Sequence, residues 1–126
     1  MSEPNATPAV GYLFCDDLMW ISRVTGIARD LGLKVVAARK PEQLEKLVRQ
    51  QAPVCVFLDL ATASAMEMIP RVREWGGQDT RFVAFGSHVD VAVLAAARAA
   101  GCDPVLARSQ MAEQLPTRLP AWMATA

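Results

Sequence analysis

Histidine occurs once, as His88, so neither a His-rich metal cluster nor a pair of imidazoles is available. No serine or cysteine stands beside it in a base–nucleophile arrangement, and His88 is expected at a surface or interface. There are three cysteines, Cys15, Cys55 and Cys102, an odd number without C-x-x-C spacing. That argues against a disulfide framework or structural zinc and for buried free thiols in a reducing cytoplasm. No apolar run approaches the ~20 residues of a membrane span. Met1–Pro8 lacks the basic and apolar segments of a signal peptide. Thirteen Lys and Arg balance thirteen Asp and Glu, which leaves no electrostatic footprint for nucleic acid or anionic lipid. The phosphate-cradling patterns G-x-G-x-x-G and G-x-x-x-x-G-K-[ST] are missing, as is D-x-H-x-x-G, so a nucleotide, flavin or cobalamin binder is disfavoured.

What the chain does have is apolar material. Hydrophobic residues make up 52% of 126 positions, enough for one globular core. The reading is a short polar arm over residues 1–9 and a single domain over 10–126. The informative stretch is Val54-Cys-Val-Phe-Leu-Asp59, a continuous apolar run entered through Pro53 and closed by one carboxylate. Runs of this kind are strands buried on both faces, as in parallel sheets. Tyr12-Leu-Phe-Cys-Asp16-Asp17 repeats the pattern.

Between and after these runs the period changes repeatedly. A first strand over Val10–Cys15 is followed by helical spacing from Leu18 to Leu31, stopped by Gly32. Leu33–Ala37 reads as a strand and Pro41–Gln50 as a helix with proline near its first position. After the central strand, Met66, Ile69, Val72 and Trp75 form a helical stripe, with Pro70 marking a first turn or a kink. Arg81–Phe85 is a fourth strand. Ser87-His-Val-Asp90 has capping-box spacing and predicts a helix from there to Ala100, ended by Gly101. Val105–Ala107 is a short fifth strand, and Pro116 and Pro120 restrict the last helix to about two turns from Ser109 to Leu115. Strand and helix thus alternate five times, which predicts an α/β fold. Its form is a doubly wound five-stranded parallel sheet of the flavodoxin-like type, a three-layer sandwich.

Ligands in such folds collect at the carboxyl edge of the sheet. That edge should hold Asp16, Asp17, Asp59, Gly86, Ser87 and Arg108. Four of them have a plainer role beside the functional one. Asp17 and Asp59 could cap the elements that follow them, Ser87 the fourth helix, and Arg108 could lie solvated on the surface.

Over Gly11 to Leu115 the order of these residues resembles that of a bacterial response-regulator receiver domain. An acidic pair follows the first strand, a lone Asp the third and a small residue the fourth, and a cation stands shortly beyond Ala-Ala-Gly101. The resemblance implies a stand-alone signalling module of a two-component phosphorelay, non-enzymatic and acting by protein contact in the cytoplasm. It implies Asp59 as phosphoacceptor, with Asp16, Asp17 and Asp59 around Mg²⁺. A hydroxyl near Gly86 or Ser87 and a cation at Arg108 would meet the phosphoryl oxygens. A hard cation would relieve the repulsion of clustered carboxylates, and a fixed positive charge would offset the transferred group. The implied partners are a histidine kinase or phosphotransfer protein and a downstream protein.

The departures point to an alternative, a pseudo-receiver that binds partners without being phosphorylated. Arg108 replaces the family's Lys, and a planar fork is no equivalent of a compact ammonium. Ser109 stands for its Pro, Gly86 for its hydroxyl residue and Val105 for its strand aromatic. The alanine-rich Ala92–Ala100 run also offers small apolar surface that a homodimer or partner could use.

Overall fold

The computed structural model describes residues 7–124. Most of the expected arm, and the last two residues of the expected 10–126 domain, lie outside the described residues. The elements are β1 (Val10–Phe14), α1 (Leu18–Asp30), β2 (Lys34–Ala38), α2 (Pro41–Gln50) and β3 (Cys55–Asp59). They continue as α3 (Met68–Trp75), β4 (Arg81–Gly86), α4 (Val91–Ala99), β5 (Val105–Ala107) and α5 (Arg108–Trp122). The strands form one sheet in the order β2-β1-β3-β4-β5, and every neighbouring pair is parallel. This is the doubly wound α/β sandwich expected from the alternating periods.

Strand alternation sorts the core into two layers. Tyr12 and Phe14 of β1, Val56 and Leu58 of β3, and Phe82 and Ala84 of β4 pack under α2, α3 and α4. Leu13 and Cys15, Cys55 and Phe57, and Val83 and Phe85 pack under α1 and α5. Each central strand is therefore buried on both sides, which is why it reads as an unbroken apolar run.

Two helices differ from expectation. α4 begins at Val91, with Asp90 as a cap residue that makes no side-chain bond. The Ser87 hydroxyl is not a helix cap: Ser87 Oγ accepts from Val89 N at 3.4 Å and its carbonyl accepts from Asp90 N at 3.1 Å. Serine here closes a local turn, the usual competitor of helix entry for this residue type. The second correction concerns α5, which runs for 15 residues through Pro116 and Pro120. Both prolines face solvent, where water can satisfy the carbonyls that lose their N–H partners. On the opposite side Met111, Leu115, Leu119 and Trp122 are buried in the α1/α5 layer, and that packing outweighs the proline cost. Pro70 falls at the third position of α3, in the first turn, where its missing N–H has no helical partner to lose.

Candidate functional site

The same alternation decides which side chains meet at the carboxyl edge. Position 13 on β1 and 15 just past it, and 55, 57 and 59 on β3, point to the α1/α5 layer. So do 83 and 85 on β4, and Arg108 keeps the parity of Leu106 just past β5. The residue that faces Asp59 from the β1 side is therefore Cys15, one position past Phe14. Asp16 and Asp17 lie past the strand, and Gly86 has the opposite parity.

Asp59 is buried, at 1% exposure. Its Oδ2 accepts from the Cys15 thiol at 3.2 Å. Its Oδ1 accepts from Ala61 N at 3.0 Å and from Arg108 Nη2 at 3.4 Å. A carboxylate has no proton to give, so the thiol must be the donor in the first contact. Cys15 Sγ in turn accepts from Asp17 N at 3.4 Å. Burial pushes the Cys15 thiol up to about 12; the hydrogen bond that Sγ accepts from the Asp17 N–H opposes that rise, and the contact with Asp59 adds to it. The thiol is thus a neutral donor near pH 7. Arg108 makes an ion pair with Asp59 at 3.4 Å while its own side chain stays 36% exposed. A buried carboxylate needs such a partner, because desolvation of an unpaired charge costs several kcal/mol.

The acidic pair divides its work. Asp17 Oδ1 caps α1, accepting from Met19 N at 2.9 Å and Trp20 N at 3.5 Å. Asp16 is exposed and tied to the loop after β3: its N–H donates to Thr62 Oγ1 at 3.1 Å, and that hydroxyl donates to Asp16 Oδ1 at 3.4 Å. Thr62, buried at 4%, also gives its N–H to the Asp59 carbonyl at 2.9 Å. Thr62 therefore joins two loops that are 46 residues apart. Sequence reasoning passed over Thr62 because its loop, Ala61–Ala65, carries only small residues. Cys15 was legible through alternation alone, as the residue at the end of β1 with the parity of Asp59.

Of the other residues expected at the edge, Gly86 ends β4 with its α-carbon turned away from the carboxylate. A Cβ there would lie 3.3 Å from Leu60 Cβ and 3.6 Å from Leu94 Cδ2, in the other layer. Ser87 is partly buried and engaged in its turn. Trp20 leans on Phe85 at the end of β4, ring centroids 4.8 Å apart, and Arg23 lies over the Trp20 ring at 5.3 Å. His88 is exposed, as expected for a residue without a catalytic neighbour.

Mg²⁺ takes oxygen ligands in near-octahedral order. Among the described residues no three His, Cys, Asp or Glu side chains gather closely enough to hold a metal ion. The arrangement at the edge gives the reason: both Asp59 oxygens accept from protein donors, a thiol proton faces Oδ2, and Asp17 serves a helix. As arranged, this donor set does not fit a hard divalent cation.

Compared with known proteins, the chain matches no protein-family model and no curated protein. Its fold matches solved structures throughout. A response regulator from Thermotoga maritima superposes with a TM-score of 0.79 at 17% identity, covering 94% of this chain and 100% of that one. The receiver domain of NtrX from Brucella abortus gives 0.78 at 16% identity, over 93% and 99% of the two chains. A Burkholderia pseudomallei response regulator, solved with a phosphorylated aspartic acid, a calcium ion and citrate, gives 0.74 at 17%, over 93% and 67%. The fold is that of response-regulator receiver domains. Among the described residues no helix is long and apolar enough to cross a membrane.

Proposed function

We propose that the protein is a receiver-type signalling module that works by protein contact and is not switched by phosphorylation of Asp59. One observation carries this reading: the carboxylate expected to attack a phosphoryl group is buried, and Arg108 already neutralises it. A nucleophile needs free lone pairs and access to an incoming group. Here Cys15, Ala61 and Arg108 occupy three of the carboxylate's roughly four lone-pair sites, and a thiol proton faces the oxygen that keeps the fourth. The arginine holds the charge that a metal ion would otherwise balance, and its fork does so without dissociating from the chain.

The contact surface is apolar. Leu18 and Met19 at the start of α1, and Val89 and Val91 before and at the start of α4, are 65%, 77%, 69% and 69% exposed. In α4 only Leu94 and Ala97 are buried, so most of its small-residue surface stays in solvent. A downstream protein, or a second copy of the chain, is the partner this surface suits.

A second reading keeps Asp59 as phosphoacceptor for a histidine kinase or phosphotransfer protein, and requires the edge to rearrange, with Cys15 and Arg108 releasing Asp59, before Asp16 and Asp59 could hold Mg²⁺. It is favoured by the exposed Asp16 carboxylate, which Thr62 ties to the Asp59 loop. Treating wild type and Asp59→Asn with a small-molecule phosphodonor and Mg²⁺, then weighing the intact proteins, separates the two. The contact reading expects equal masses before and after treatment. A gain of one phosphoryl group in wild type and not in the variant overturns it.

A further inference from the structure

We propose that Cys15 determines what can neutralise Asp59: by facing the carboxylate with a thiol, it keeps divalent cations out and leaves the charge to Arg108. This rests on the reading of Arg108 as the resident counter-charge of Asp59. Cys15 is fully buried, at the last inward position of the first strand's run, and its Sγ lies 3.2 Å from Asp59 Oδ2. Of Cys15, Asp16 and Asp17, Cys15 is the one whose side chain hydrogen-bonds Asp59, since Asp17 turns to the helix and Asp16 to Thr62.

The chemistry at that one position has two opposed outcomes. A protonated thiol donates a hydrogen bond and adds no charge, so a single buried carboxylate faces a single guanidinium and the local charge balances. Divalent metals bind thiols only as thiolates, and Mg²⁺ prefers oxygen. An aspartate at position 15 would bring a second carboxylate against Asp59 from the same side. Two buried carboxylates repel, Arg108 balances only one, and a divalent cation becomes the species that relieves the excess. Asp16, exposed and held beside the Asp59 loop, is the third oxygen donor within the same edge.

The test uses the full chain as wild type, Cys15→Asp and Cys15→Asn. Mn²⁺ binding is followed by loss of the free-ion EPR signal, and thermal unfolding is compared in Mg²⁺ and in EDTA. Cys15→Asp should bind Mn²⁺ at least about tenfold more tightly than wild type, as expected when a hard charged ligand is added. Its unfolding temperature should rise on adding Mg²⁺ while that of wild type stays fixed, because a ligand that binds only the folded state stabilises it. Cys15→Asn puts an oxygen ligand where the thiol proton stood without the repulsion, and should bind Mn²⁺ more tightly than wild type and less tightly than Cys15→Asp, so it tests the thiol even if Cys15→Asp folds in neither buffer. Equal Mn²⁺ affinity in wild type and in both folded variants, or in wild type and Cys15→Asn when only those fold, overturns the assignment of Cys15. Phosphorylation of wild type at Asp59 would overturn the contact reading instead, so the two failures are distinguishable.

Discussion

Cys15 Sγ and Asp59 Oδ2 lie 3.2 Å apart across 44 residues of sequence, joined by adjacent parallel strands whose register pairs Phe14 with Leu58. The next residue along each strand projects to the same layer, so the thiol and the carboxylate meet by strand geometry and need no loop to bring them together. Arg108 closes the cluster from the far side of β4, and its consequences can be measured.

Removing the guanidinium leaves Asp59 buried with only a thiol and an amide as partners. Arg108→Ala should destabilise the protein by about 1–2 kcal/mol, below the range for a fully buried pair, because the arginine itself is partly hydrated. Arg108→Lys should recover part of that loss. Urea denaturation of the three proteins checks both statements, and an unchanged midpoint in Arg108→Ala would show that the ion pair contributes nothing.

Thr62→Val removes the hydroxyl that receives the Asp16 N–H and donates to the Asp16 carboxylate. A loss of about 1–2 kcal/mol is expected, since the Asp16 amide loses its partner and the valine matches the threonine in size. Thr62→Ser should retain most of the wild-type value. The amide of Asp16 should exchange faster with solvent in Thr62→Val, a local readout that a general loss of packing would not single out.

Stability should also fall in alkali because of Cys15. The folded protein holds this thiol's proton up to about pH 12, whereas a thiol with the ordinary value of 9.0 releases it earlier. The contribution is present in full below about pH 9 and is lost as the pH rises toward about 12, because over that window the folded state binds more protons than the unfolded one. The expected slope is at most about 1.4 kcal/mol per pH unit for one thiol. Cys55 and Cys102 are also raised by burial, so the diagnostic is the difference between wild type and Cys15→Ser in denaturation series at about pH 8 and about pH 10.5. Cys15→Ser should show the shallower decline.

Pro116 tests the length of α5. In an exposed helix interior, alanine is favoured over proline by up to about 3 kcal/mol, partly offset by the freer unfolded chain. Pro116→Ala should therefore raise stability by about 1–2 kcal/mol if the helix runs through this position. A neutral or destabilising effect would place the helix end before residue 116.

The sheet was legible because its strands are buried on both faces and cannot avoid being apolar runs. Val54–Asp59 and Arg81–Phe85 state their own limits to within a residue. α5 was legible only in part, since local proline rules ignore the tertiary packing of Leu115, Leu119 and Trp122 that carries the helix past Pro116. At the candidate site the sequence marked Asp59, Asp16 and Arg108 through charge at the ends of strands. It undervalued Cys15, which looks like one more core residue until alternation is followed from β1 to β3. It could not reveal Thr62, because a hydrogen bond between two loops leaves no periodic trace.

The central claim, that Asp59 is already neutralised and closed to an incoming anion and its metal, is tested most directly by amide NMR spectra of the full chain. Spectra are recorded before and after adding beryllofluoride, a phosphoryl mimic, together with Mg²⁺. The account predicts that the amides of Asp16, Leu60, Ala61 and Gly86 keep their positions. New resonances for these amides in wild type, lost in Asp59→Asn, would contradict it.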